Sequence, residues 1–144
     1  MNVCDLRPEH LDDVVRIDAL HTGMANPDYW ADVFARFLDA SGDRRRVGLV
    51  VEVDGRPVGY LLGEVRAFEF GSEPCGWIFG VGVDPERLRG GVAGRLLAEA
   101  RNRFRETGVT TVRTMVRRND VPVLSFFRSH GFVGGSFTQL EEPL

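Results

Sequence analysis

The chain has 144 residues, a net charge of −3 and 43% apolar residues, which fits one globular domain over residues 1–144 that buries about two thirds of its unfolded surface. No apolar run approaches the ~20 residues of a membrane span, the N-terminus carries no secretory pattern, and the weak acidity gives no general case for nucleic acid. Cys4 and Cys75 offer neither a disulfide framework nor metal-ligand spacing, so no metal and a cytoplasmic location are expected.

In chain order, Asn2 to Leu6 reads as a short strand, and Pro8 opens a helix whose apolar face is Leu11, Val14, Val15, Ile17 and Leu20. Asn26-Pro27 caps a second helix with Tyr29, Trp30, Val33, Phe34, Phe37 and Leu38 on one face. Residues 41–46 form a polar connector. Val47–Val53 and Pro57–Val65 are strands joined by Asp54-Gly55, a dipeptide suited to the positive φ angles of a two-residue hairpin. An acidic and aromatic loop, Ala67–Pro74, leads into a strand over Gly76–Val83. The helix that opens near Gly91 stops at Thr107-Gly108, Val109–Val116 is a strand, and Asn119-Asp120 caps a last helix over Pro122–His130. Phe132–Leu140 is expected as a final strand or pair. The order is βααβββαβαβ(β), an α/β (α+β) chain with no internal repeat.

The stretch Arg87-Leu-Arg-Gly-Gly-Val-Ala-Gly94 sits between the Gly76–Val83 strand and a helix with Leu96, Leu97, Ala100 and Phe104 at helical spacing. Such a turn lets backbone N–H groups converge on an oxyanion, with the positive end of the helix dipole behind them. A phosphate or pyrophosphate is the expected guest. All 18 basic residues are arginine, which removes the lysine that a nucleotide-hydrolase phosphate loop needs. A dinucleotide fingerprint fails as well, since Gly80-Val-Gly82 is followed by Asp84-Pro85.

With this element order, the chain resembles the GCN5-related N-acetyltransferase (GNAT) family. Val83-Asp-Pro85 is in register with the family's acyl-CoA motif, and Gly91 and Ala93 fill its last two fixed places, although Leu88 stands where the family has Arg or Gln. Phe126-Phe127-Arg-Ser-His-Gly131-Phe132 is similar to the family's C-terminal signature. The resemblance implies a mixed central sheet of six to seven strands with about four flanking helices. It also implies direct transfer of an acetyl group from acetyl-CoA to a primary amine of a small molecule or peptide, and a homodimer, since members often pair through C-terminal strands. Pyrophosphate would bind the loop amides of Arg89, Gly90, Gly91, Val92, Ala93 and Gly94. The pantetheine arm would pair with the backbone of Val81 and Val83 as an added strand does, with Gly80 and Gly82 leaving it room.

Two departures bear on the chemistry. Phe79 stands where many members carry a glutamate base. Phe127 stands at the cofactor-side position where many carry a tyrosine that protonates the thiolate. A base is therefore sought on the acceptor side, with Glu64 and Glu69 as the leading carboxylates and Glu73, Asp18 and His21 behind them. Tyr60 and Trp77 read as core or pocket wall, and His130 as a helix-end residue. An acidic, aromatic rim suits a cationic acceptor. The alternative is an acyl-CoA-binding sensor with weak or no transfer.

Overall fold

The computed structural model describes residues 1–38, 43–67 and 70–144. They form two compact units, Met1–Thr114 and Met115–Leu144. In the first unit, strands β1 (Asn2–Asp5), β2 (Arg46–Val53), β3 (Arg56–Arg66), β4 (Cys75–Val83) and β5 (Val112–Thr114) make one sheet in the order β1-β2-β3-β4-β5. The first four pair antiparallel and β5 is parallel to β4. A parallel neighbour requires a crossover, which helix α3 (Val92–Glu106) supplies. Asp54 and Gly55 take φ angles of 53° and 75°, the turn read from that dipeptide.

Alternation along β3 divides the core between two faces. Gly59, Leu61 and Gly63 turn to α3, where added β-carbons at Gly59 and Gly63 would meet Val92 and Phe104. Tyr60 and Leu62 turn to α1 (Leu11–Thr22) and α2 (Pro27–Leu38), joining a cluster with Val14, Ile17, Trp30, Val33, Phe34 and Phe37. In α3 the buried residues Val92, Leu96, Leu97, Ala100 and Phe104 follow helical spacing. Gly108, at φ 89°, ends the helix as expected.

Four expectations change. The sheet has five strands among the described residues, against six to seven. Val109–Val116 contracts to Val112–Thr114. Phe132–Leu140 forms no strand, so the second unit has α4 (Val121–Ser129) as its regular element. A strand needs a ladder partner, and Gly134-Gly135 offers no side chains to pack on one. Leu20 and Tyr29, assigned to apolar faces, are exposed. No helix among the described residues is long and apolar enough to cross a membrane.

Candidate functional site

The site begins where β4 loses a neighbour. Gly76, Trp77 and Ile78 pair with Val112, Arg113 and Thr114, and the Thr114 hydroxyl closes this ladder with a 2.9 Å bond to the Ile78 carbonyl. From Phe79 to Val83, only β3 pairs with β4 among the described residues. Phe79 is also the extra residue of a β-bulge, since Leu62 faces Gly80 and Gly63 faces Ile78. The bulge resets the alternation, so Gly80 and Gly82 face α1 and α2, while Val81 and Val83 face the α3 side. The Asp84 N–H donates to the Val58 carbonyl at 2.8 Å. In an antiparallel ladder that phase turns the backbone groups of Gly82 to β3, and those of Val81 and Val83 to the free edge. The Val83 carbonyl is already engaged, accepting from His21 Nε2 at 2.5 Å. Val81 N–H, Val81 C=O and Val83 N–H remain for an incoming chain of amides.

The turn after β4 is tied down from α1. Asp84 accepts from the Glu86 N–H at 3.0 Å and from Arg16 Nη1 at 3.0 Å, and Arg16 Nη2 reaches the Pro57 carbonyl at 3.1 Å. The Glu86 amide, with the Arg16 guanidinium, holds the Asp84 carboxyl below the usual carboxylate range. Gly91 then caps α3 at φ 76°, with nothing within 4 Å of where a β-carbon would stand. Its backbone angle, and not crowding, calls for glycine. Of the expected donors, Gly90 turns its N–H inward to the Arg87 carbonyl at 3.0 Å. Val92, Ala93 and Gly94 present first-turn amides that a helix leaves unsatisfied. Arg87 and Arg89 are exposed beside them and form no ion pair among the described residues. Arg95 Nη1 reaches the Met1 carbonyl at 3.4 Å. First-turn amides beside two exposed arginines make this mouth electropositive, which suits an anion.

The acid–base candidates separate. Glu64 faces α2 opposite Trp77, but its Oε1 takes Arg66 Nε at 2.6 Å, and the Arg66 guanidinium lies 5.9 Å from the Trp77 and Phe79 ring centres. Glu69 lies outside the described residues. Asp18 accepts from the Trp30 indole at 3.0 Å. Phe127 lies on α4 of the second unit, its ring 5.0 Å from that of Phe132. His130 Nδ1 bonds the Phe126 carbonyl at 2.9 Å, the helix-end arrangement expected of it.

Tyr60 is a core residue, as the sequence reading has it. It is 4% exposed, and a β-carbon at Gly82 would lie 2.6 to 2.8 Å from its Cε1, Cζ and Oη atoms. Gly82 therefore leaves room for the Tyr60 ring, and not for a ligand as expected. Burial, with Asp18 and Tyr29 nearby, pushes the phenol well above its usual range. The sequence signal was a tyrosine and a glycine on paired strands, but an unforeseen bulge hid their register.

Two features lie elsewhere. Cys4, His10 and Glu52 gather potential ligand atoms within 4.8 Å. However, His10 Nδ1 accepts the Arg7 N–H at 3.0 Å, so Nε2 carries the proton and donates to Glu52 Oε1 at 3.2 Å. A metal on Nε2 would force that proton onto Nδ1, against the Arg7 amide, so this is a hydrogen-bonded cluster. Burial and Glu52 raise the Cys4 thiol, which makes it a poor nucleophile. A cavity of about 650 Å³, lined by Asp5, Phe37, Arg46 and Arg103 among others, opens near the β1–β2 side of the sheet, away from β4.

The profile of the acetyltransferase (GNAT) family matches residues 11–132. Mycothiol acetyltransferase of Saccharomonospora viridis is 30% identical over 87 residues, which are 58% of this chain and 28% of that protein. The chain thus matches well under a third of that relative's length. Aminoglycoside 6'-N-acetyltransferase AAC(6')-IG from Acinetobacter haemolyticus superposes with a TM-score of 0.82 at 19% identity, over 100% of this chain and 99% of that one. AAC(6')-Iy, solved with the bisubstrate analogue CoA-S-monomethyl-acetylneamine, gives 0.83 at 15% identity over 99% and 97%. The match to the profile from α1 to Phe132, with the sheet and α3 arranged as described, establishes that this chain belongs to the acetyltransferase (GNAT) family.

Proposed function

We propose that the chain is an N-acetyltransferase that moves an acetyl group from acetyl-CoA to a primary amine of a small molecule or peptide, with residues 1–144 acting as one transferase domain. The observation that carries this reading is the free edge of β4 at Val81, leading directly to the Gly91-headed α3. The amides of Val92, Ala93 and Gly94, with Arg87 and Arg89, would hold the diphosphate. The Val81 C=O and the Val83 N–H would pair with the pantetheine amides. The amine acceptor agrees with the relatives, which are named for acetylating aminoglycosides or for mycothiol acetylation.

A primary amine has a pKa of about 10.4, so reaching the nucleophilic form at pH 7 costs roughly 3–5 kcal/mol. Desolvation and a base must offset that cost. Glu64 takes the amine's proton once Arg66 swings away, Glu69 is the second candidate, and Asp18 lies near Tyr60 on the α1 side. The Val81 N–H, directed to the free edge, donates to the oxyanion.

The test is to incubate the protein with acetyl-CoA and a panel of amines that includes an aminoglycoside, an amino sugar, a polyamine and a peptide, following free thiol and acetylated product. Turnover on at least one amine is expected. CoA binding without turnover would instead favour the sensor, a reading that Phe79 and Phe127 support by replacing the family's glutamate and tyrosine. Absence of both would overturn the function.

A further inference from the structure

We propose that Glu64, Trp77 and Phe79 form the subsite that receives the acceptor's ammonium group, and that Arg66 is a built-in competitor occupying this subsite in the free protein. The inference rests on the amine-acceptor reading above and deepens it by naming the cation subsite and the side chain that a substrate must displace.

Alternation places Glu64 and Arg66 of β3, with Trp77 and Phe79 of β4, on the face of the sheet that carries α2. Arg66 pairs with Cys75, at the loop end of the hairpin. Its side chain does not run out into solvent from there. It lies back along the sheet, with Nε 2.6 Å from Glu64 Oε1 and the guanidinium carbon 5.9 Å from the ring centres of both Trp77 and Phe79. Phe79 is four residues beyond Cys75, so the side chain follows β4 for most of that length. Lying back costs a long side chain rotamer freedom. A carboxylate and two π faces within about 6 Å of the positive charge offset that cost. Such a set of groups is a cation receptor, and here the protein supplies its own guest.

The receptor lies where the thioester would end. Running along β4 from the mouth of α3, a pantetheine arm would meet Val83, then Val81, and its sulfur would point on toward Phe79. At about 3.3 Å per residue, Phe79 lies ~7 Å beyond Val81, at the start of the edge that β5 leaves open. The Phe79 ring stands 5.9 Å from that of Phe37 on α2 and is 40% exposed, so one side is supported and another is accessible. The hold on Arg66 is weak. Arg66 is 45% exposed and Glu64 26%, and exposed ion pairs and ring contacts exchange readily for another cation. A primary amine arrives protonated at pH 7 and can take the place of the guanidinium, which itself stays charged and unreactive. The amide product carries no charge at that nitrogen, so Arg66 regains the subsite as the product leaves.

The experiment titrates native protein, Arg66→Ala, and Arg66→Ala combined with Glu64→Gln. The probes are ethylammonium and ethylguanidinium chlorides, set against sodium chloride at equal ionic strength. Tryptophan fluorescence reports binding, with buried Trp30 as a constant background. Removing the competitor should tighten both cations about tenfold, the order expected of an exposed ion pair with two exposed ring contacts. Adding Glu64→Gln should cancel that gain. Phe79→Leu in the Arg66→Ala protein keeps an apolar side chain, removes a π face, and should weaken both cations about threefold. With acetyl-CoA and an accepted amine, Arg66→Ala should lower KM for the amine about tenfold while KM for acetyl-CoA stays within about twofold. Unchanged cation affinity in Arg66→Ala would overturn the subsite, and so would tighter cation binding with an unchanged amine KM. Arg66→Gln carries the same test should Arg66→Ala fail to fold. If the cations bind as expected but no amine is acetylated, the transferase reading falls, and the role in transfer with it, while the cation receptor stands.

Discussion

Cys75–Ile78 and Phe79–Val83 are consecutive parts of one strand, yet their backbones have different surroundings. The first part is flanked by β3 and β5, and its Gly76 lies against the ring of Phe104 so closely that a β-carbon would come within 2.7 to 2.9 Å. The second part is paired on one side, bulged at Phe79, and keeps backbone groups free where the glycine-headed helix follows. The same main-chain chemistry thus stabilises the fold in one half, and in the other is available to a ligand. The free edge is partly exposed, so its amides are satisfied by water or by a ligand that pairs with them as an added strand does.

Changes in the first half should damage stability first. Phe104→Ala removes the ring that packs under Gly63 and Gly76, and an expected loss of about 3–5 kcal/mol would show in denaturant unfolding. Placing proline in each half sharpens the contrast. Trp77→Pro deletes a ladder donor in doubly flanked strand and should unfold the protein or cost at least ~1–3 kcal/mol. Val81→Pro removes a donor that no strand uses, so it should cost under about 1 kcal/mol while abolishing acetyl transfer. Comparable destabilisation by the two prolines would break the comparison.

At the helix mouth, Gly91→Ala and Gly91→Glu force a side chain into the same left-handed backbone and should each cost about 1–2 kcal/mol. Only glutamate adds negative charge where the diphosphate is read to sit, so it should abolish CoA binding while alanine merely weakens it. Equal affinities would remove the loop from the account. The smallest effect concerns the Asp84 carboxylate. Asp84→Ala loses the Glu86 cap and the Arg16 contact, about 1 kcal/mol by analogy with a lost N-cap. Because the folded protein lowers the Asp84 pKa, its contribution is present above the unfolded carboxyl value of about 3.9 and is lost as pH falls through the lower folded value. The stability gap between native and Asp84→Ala should therefore be flat from pH 7 to 5 and close below about pH 4.

The elements that sequence made legible are those defined by local chemistry. Asp54-Gly55 names its turn, Leu96, Leu97, Ala100 and Phe104 name a helix face, and Val83-Asp-Pro85 with Gly91 names the end of β4 and the start of α3. What escaped reading depends on distant partners. The strand at Val112–Thr114 is short because it lasts only as far as β4 pairs with it, and Phe132–Leu140 found no ladder. The run Gly76-Trp-Ile-Phe-Gly-Val-Gly-Val83 shows no sign of the bulge at Phe79, so the facing of Gly82 to Tyr60 could not be foreseen. Nor could the reach of Arg16 to Asp84 across the fold, which no sequence spacing announces.

The most direct measurement is calorimetric titration of native protein and Gly91→Glu with acetyl-CoA, alongside thermal unfolding. The account expects saturable heat for the native protein and stabilisation of about 2.7 kcal/mol at ligand a hundredfold above Kd, both absent in Gly91→Glu. Native protein that gives neither heat nor stabilisation at millimolar acetyl-CoA would contradict it.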